Sequence, residues 1–201
     1  MASHNSSEGL QGWGVPFNNS LTGITLVNKA ASGRSARSYW REGKWAAVQA
    51  SLQPGDYVVI EFGHNDGGSP STTDRASVGG EGNDTQKMID GAKSKGATPI
   101  ISSTTPNDPF EGVANINYTP GRFVTYAKDA AAAKGVPYVD HFTASLLTYN
   151  NTGKATTESY FPKDHTHTNA AGANVVASAF ISALKCPSAK GVLKQYLYVI
   201  S

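Results

Sequence analysis

The run Tyr57-Val-Val-Ile-Glu-Phe62 is apolar at nearly every position, so as a strand it is covered on both faces. Strands of this kind belong to parallel sheets, which need helical crossovers above and below. The rest of the chain supplies them in alternation. Ile24-Thr-Leu-Val-Asn28 reads as a strand, followed by a Gly33-Arg-Ser turn and a helical stretch through Trp40, Trp45, Ala46, Ala47 and Leu52. Pro54-Gly-Asp56 is a turn before the apolar run, and residues 63–85 read as a loop. Lys87 to Lys95 reads as a helix ended by Gly96, and Thr98-Pro-Ile-Ile-Ser-Ser103 as the next strand. Arg122 to Lys134 places Phe123, Ala127, Ala130 and Ala131 on one helical face and leads into a strand at Val136-Pro-Tyr-Val-Asp140. The last helix starts near the capping residue Asn169 and carries Val176, Phe180 and Leu184 at four-residue spacing. This order predicts an α/β fold, a parallel sheet with helices on both faces, in a single domain over residues 1–201.

Composition narrows the function. Seventeen Lys plus Arg against fifteen Asp plus Glu, a net charge of +2, give no basic stripe that would point to nucleic acid or an anionic membrane surface. No apolar run approaches the roughly 20 residues of a bilayer-spanning helix. Sequons at Asn5, Asn18, Asn83, Asn117 and Asn150, with only 16% charged residues, lean toward a secreted hydrolase, although Met1 to Ser7 lacks the pattern of a signal peptide. Cys186 has no intramolecular partner and reads either as a buried spectator or as half of a pair whose other half is absent.

In parallel α/β folds ligands gather beyond the carboxyl ends of the strands. After the first expected strand, Gly33 offers a backbone N–H unobstructed by a side chain. After the second, Gly63-His-Asn-Asp-Gly-Gly68 offers the Asn65 amide. Two such donors aimed at one oxygen make an oxyanion hole; the same glycines also serve as plain tight turns. Before the last helix, Asp164 precedes His167 by three residues, the spacing at which a carboxylate orients an imidazole as general base. Two other readings stay open: Asp164, His165 and His167 as metal ligands with His64 or Asp66, or a capped helix start with surface histidines.

The segments NKAASGRSARSYWRE (residues 28–42), YVVIEFGHNDGG (57–68), TTPNDPF (104–110) and SYFPKDHTHTNAAG (159–172) resemble the fungal rhamnogalacturonan acetylesterases, members of the SGNH (GDSL-like) hydrolase superfamily. The resemblance covers nearly the whole chain. It implies a flavodoxin-like three-layer sandwich and a secreted, extracellular and monomeric serine esterase acting on acetylated pectic polysaccharide, with no metal and no cofactor. Asp164 and His167 match the triad acid and base, and Gly33 and Asn65 the oxyanion donors.

The resemblance also predicts where this chain departs. The family's nucleophile is the serine of a Gly-Asp-Ser motif at the end of a first strand that is central in the sheet, between the counterparts of Ile24–Asn28 and Tyr57–Phe62. No Gly-Asp-Ser occurs in this chain. The expectations are therefore a domain incomplete at its N-terminus, with the central strand and the nucleophile missing, and little or no turnover. Ser3, Ser6 and Ser7 are the nearest hydroxyls to the expected position. The resemblance also implies that a family segment is absent between Gln86 and Lys87, and that Cys186 matches a family cysteine whose partner is missing. The alternative is a non-catalytic carbohydrate-binding remnant that stacks sugar on Trp13, Tyr39, Trp40 or Tyr160.

Overall fold

The computed structural model describes residues 8–67 and 83–197. In chain order the helices are α1 (Gly14–Phe17), α2 (Ala36–Arg41), α3 (Lys44–Ser51), α4 (Asp84–Ser94), α5 (Arg122–Lys134), α6 (His141–Thr152), α7 (Lys154–Glu158) and α8 (Ala170–Leu184). The strands β1 (Tyr57–Glu61), β2 (Thr98–Ser102) and β3 (Tyr138–Val139) form one parallel sheet in the order β1-β2-β3. Val59 pairs with Ile100 and Ile101 with Tyr138. Because side chains alternate along a strand, Val59, Ile100 and Val139 enter one core while Ile60, Ile101 and Tyr138 enter the other. The first core is closed by Trp13 and Phe17 at α1, Tyr149 of α6, and Val176, Phe180 and Leu184 of α8. The second is closed by Tyr39 of α2, Trp45 of α3, Met88 and Ile89 of α4, and Ala130 and Ala131 of α5. Layered this way, the α/β architecture is the one the apolar run Tyr57–Phe62 demands. No described helix is long and apolar enough to cross a membrane.

Local sequence explains most element ends. α5 occupies the expected residues and stops at Gly135, whose φ of 65° is left-handed. Asn169 caps α8 by accepting the Gly172 N–H at 2.9 Å. α4 begins earlier than expected, at Asp84, because the Asn83 side chain caps it by accepting the Gln86 N–H at 2.9 Å. The helix then runs unbroken through Gln86 and Lys87. α6 was not expected from its Thr- and Asn-rich sequence; its start is fixed by the Asp140 side chain, which accepts the Thr143 N–H at 3.1 Å. β3 is shorter than the expected Val136–Asp140. Cys186 is an exposed free thiol, which corrects the buried reading.

The larger correction concerns Ile24–Asn28, which forms no strand. Its alternation survives, with Ile24 and Leu26 packed against the first core and Val27 65% exposed, but no ladder forms. The segment is held at both ends by groups other than β1. Leu21 bridges Leu197 and Thr22 N–H donates to Tyr196 O at 2.8 Å, while the Tyr39 hydroxyl donates to Lys29 O at 2.7 Å. Between this segment and β1 lies a cavity of about 1020 Å³, lined by residues 24–34 on one side and 56–65 on the other.

Phe180 stands at the centre of the first core, fully buried, with its ring centroid 4.6 Å from Trp13, 5.1 Å from Phe17 and 5.2 Å from His141. Phe180→Ala removes these contacts and leaves a void in a wall that three elements share. The expected cost is about 3–5 kcal/mol, a large share of a typical domain's net stability, read as an earlier denaturant midpoint by circular dichroism.

Candidate active site

The loop before α8 is folded by one carboxylate. Asp164 Oδ1 accepts the backbone N–H of Thr166 at 2.7 Å and of His167 at 2.8 Å, and Oδ2 accepts His167 Nδ1–H at 2.8 Å. Partial burial works against the charge on Asp164. The ring of His167 and the two backbone donors outweigh that and pull its pKa down to about 2. Asp164 thus stays ionised at any ordinary pH and holds the imidazole with Nε2 as the nitrogen that carries the lone pair.

The two expected oxyanion donors sit on loops that are tied together. Gly33 has φ 71° with open space where a Cβ would stand, so glycine is required there by backbone conformation. Gly63 has a different reason: a Cβ would lie 2.5 Å from Cβ of Thr104, so the chain after β1 passes directly against the chain after β2. Asp66 N–H donates to Gly63 O at 3.0 Å, closing a turn that contains Asn65. The buried Asp66 Oδ1 accepts Ala36 N–H at 2.9 Å at the start of α2, three residues beyond Gly33. Gly33, Asn65 and His167 all line the 1020 Å³ cavity, together with Thr105 and Asn107 from the loop after β2. Asp164 supports His167 from behind.

The open alternatives fare differently. His64 Nε2 lies 3.2 Å from Thr105 Oγ1, and His165 Nδ1 lies 3.2 Å from Glu111. The second expected metal carboxylate, Asp66, is spent on the α2 backbone. Among the described residues, no group of three His, Cys, Asp or Glu side chains is arranged to hold a metal ion. His64 has a lowered pKa, chiefly from desolvation in the cavity wall, with the nearby His167 and His165 acting in the same direction and Glu61 opposing. Trp13 and Tyr39, candidates for sugar stacking, are core residues only 4% and 6% exposed. Trp40 and Tyr160 are half-buried against the cores. Ser3, Ser6 and Ser7 lie outside the described residues.

Beneath the site is a polar cluster that sequence reasoning missed. The buried Glu61 accepts Trp13 Nε1–H at 2.9 Å, Ser102 Oγ–H at 2.6 Å and His141 Nδ1–H at 2.9 Å. His141 Nε2 in turn donates to Val176 O at 2.9 Å. Burial penalises the Glu61 charge, but His141 and Ser102 more than offset it and bring its pKa to about 2. A carboxylate inside an otherwise apolar strand was the signal available in the sequence.

The matched family model is that of the GDSL-like lipase/acylhydrolase family, over residues 2–175. The chain belongs to this family. It is 45% identical over 197 residues to the rhamnogalacturonan acetylesterase of Emericella nidulans, spanning 87% of this chain and 79% of the relative. It is 26% identical to the probable rhamnogalacturonan acetylesterase YesY of Bacillus subtilis, spanning 92% and 89%. Among solved structures, YxiM of Bacillus subtilis superimposes with a TM-score of 0.74 at 24% identity, over 92% of this chain and 51% of that one. Axe2, an acetylxylan esterase from Geobacillus stearothermophilus, does so with a TM-score of 0.57 at 18% identity, over 88% and 82%. These likenesses confirm the fold of a GDSL-like hydrolase, and membership makes the chain a carboxylic ester hydrolase by family.

The Glu61 cluster yields a stability prediction. Glu61→Gln leaves the buried His141 without its counter-charge and is expected to cost on the order of 3–5 kcal/mol. With a pKa of about 2 when folded, against an ordinary glutamate value of about 4.3, Glu61 stabilises the fold above that ordinary value. The contribution falls away as pH drops toward 2, so the acid limb of a stability profile between those values should flatten in Glu61→Gln.

Proposed function

We propose that the protein is by ancestry a carbohydrate O-acetylesterase of the serine type, directed at the acetylated rhamnogalacturonan of pectin. The observation that carries this reading is the 2.8 Å Asp164–His167 hydrogen bond on a cavity that Gly33 and Asn65 also line. The 45% identity to a rhamnogalacturonan acetylesterase supports the substrate class. In this reaction a serine hydroxyl attacks the acetyl carbonyl while His167 Nε2 takes its proton. The Gly33 N–H and the Asn65 amide hold the tetrahedral oxyanion, each donor worth on the order of 3 kcal/mol in the transition state. His167 returns the proton to the departing sugar oxygen, which leaves as a hydroxyl, and water then releases acetate by the same route. We assign the protein an extracellular, monomeric existence as a single domain, in keeping with the sequons and the polysaccharide substrate.

The Gly-Asp-Ser motif that carries the family's nucleophile occurs nowhere in this sequence. A chain with base and oxyanion donors but without the serine should bind acetylated ligand and turn it over little or not at all. Two measurements separate the parts of the proposal. Titration with an acetylated rhamnogalacturonan oligosaccharide should shift the NMR signals of His167 and Asn65 more than its deacetylated counterpart does; equal or absent shifts overturn the acetylesterase reading. Hydrolysis of a chromogenic acetate ester should stay near the protein-free rate, and turnover abolished by His167→Ala would show instead that a nucleophile is present.

A further inference from the structure

The near-neutral balance of the whole chain hides a local surplus beside the site. Between residues 29 and 44 stand Lys29, Arg34, Arg37, Arg41 and Lys44 against Glu42 alone. Two of these cations, Lys29 and Arg34, line the same cavity as His167, Gly33 and Asn65. Arg34 is held in place: Nε lies 3.1 and 3.0 Å from the two Glu42 carboxylate oxygens, and Nη1 donates to Ser32 O at 3.0 Å. Glu42 is shared with Lys44 at 3.3 Å. Lys29 is exposed and forms no ion pair among the described residues. Its backbone is nonetheless fixed, by the buried Tyr39 hydroxyl on Lys29 O at 2.7 Å and by the Asn28 side chain, which accepts Ala30 N–H at 3.1 Å.

Among the described residues, the carboxylates around the cavity are committed elsewhere. Glu61 is buried against His141, Asp164 holds His167, and Glu111 faces His165. Asp56 precedes β1, at the opposite end of the strand from the site, and accepts Gln53 N–H at 2.8 Å. The wall four residues before Gly33 therefore presents a positive charge with a fixed backbone and no counter-ion among the described residues.

We propose that Lys29, with the oriented Arg34 guanidinium on the same wall, forms a carboxylate subsite that selects uronate-bearing glycans over neutral ones. This inference rests on the carbohydrate-esterase reading and sharpens it. The relatives and structural neighbours divide between rhamnogalacturonan, which carries galacturonate carboxylates, and xylan. A cation at this position favours the first class by direct charge pairing.

The test is calorimetric titration of the full chain with three probes: an acetylated rhamnogalacturonan oligosaccharide, the same oligosaccharide with its uronates methyl-esterified, and an acetylated xylo-oligosaccharide. The acidic probe should bind tightest and weaken with added salt. Lys29→Ala should reduce its affinity by about threefold or more, the range of a partly exposed charge pair, and leave the methyl ester unaffected. Lys44→Ala removes the same charge from a residue that does not line the cavity, and should change little. Equal binding of acid and methyl ester overturns the carboxylate subsite while leaving the esterase reading intact. Equal losses in Lys29→Ala and Lys44→Ala also overturn it, showing a diffuse field. Absence of binding by all three probes overturns both.

Discussion

Glu61 closes the carboxyl end of β1 with a carboxylate that takes donors from three separate elements. Trp13 brings α1, Ser102 brings β2, and His141 brings α6; through Val176 O the same imidazole reaches α8. Two of these bonds cross from the sheet to the helical layer and the third joins neighbouring strands, so one charged group sets the mutual height of the sheet and the helices of the first core. Two residues later the chain makes its close pass over Thr104 and turns through Asn65. The loop bearing a candidate oxyanion donor thus departs from a point fixed in three directions. Such buried pairing contributes little net stability against a well-packed apolar substitute, but it is strict about geometry, and geometry is what a site at the end of a strand requires.

Legibility in the sequence followed the range of the interactions. β1, β2, α5 and α8 were readable because alternation, helical spacing and glycine or asparagine ends are local signals. The Asp164–His167 pair was readable for the same reason, since three residues on one turn suffice to make it. The tie from Asp66 to Ala36 spans 30 positions and the Glu61–His141 pair spans 80, and no local pattern announces either. Ile24–Asn28 shows the opposite failure. Its alternating pattern predicted a strand, but a strand exists only through a neighbour's hydrogen bonds, and here the segment is anchored to Tyr196 and Tyr39 with a cavity between it and β1. The start of α4 was within reach of sequence reasoning, because Asn83 is a good cap that the loop expectation passed over.

The two halves of the site are built to different tolerances. Gly33 and Asn65 lie on loops braced by Asp66, Ser35 and the Gly63 turn, so their spacing is inherited from the packing of α2 against the carboxyl end of β1. His167 and Asp164 belong to a single turn ahead of α8, connected to the N-terminal segment by Gln11 N–H on Thr168 O at 2.8 Å and by the Thr168 hydroxyl on Gln11 O at 2.9 Å. The candidate base and the candidate oxyanion donors therefore face one cavity from separate elements. Their relative placement depends on the sheet and not on the loops themselves.

Asp164 divides its oxygens between two tasks: Oδ1 folds the loop through two backbone amides, and Oδ2 meets the ring. Asparagine at this position retains one oxygen, enough to keep the loop folded, and puts an amide N–H₂ opposite Nδ1. That nitrogen must then become the acceptor, which sends the ring proton to Nε2. The imidazole would sit in an unchanged fold with its proton and lone pair exchanged, its basic nitrogen turned away from the cavity. The chemistry of this site is thereby separable from its architecture by a single atom.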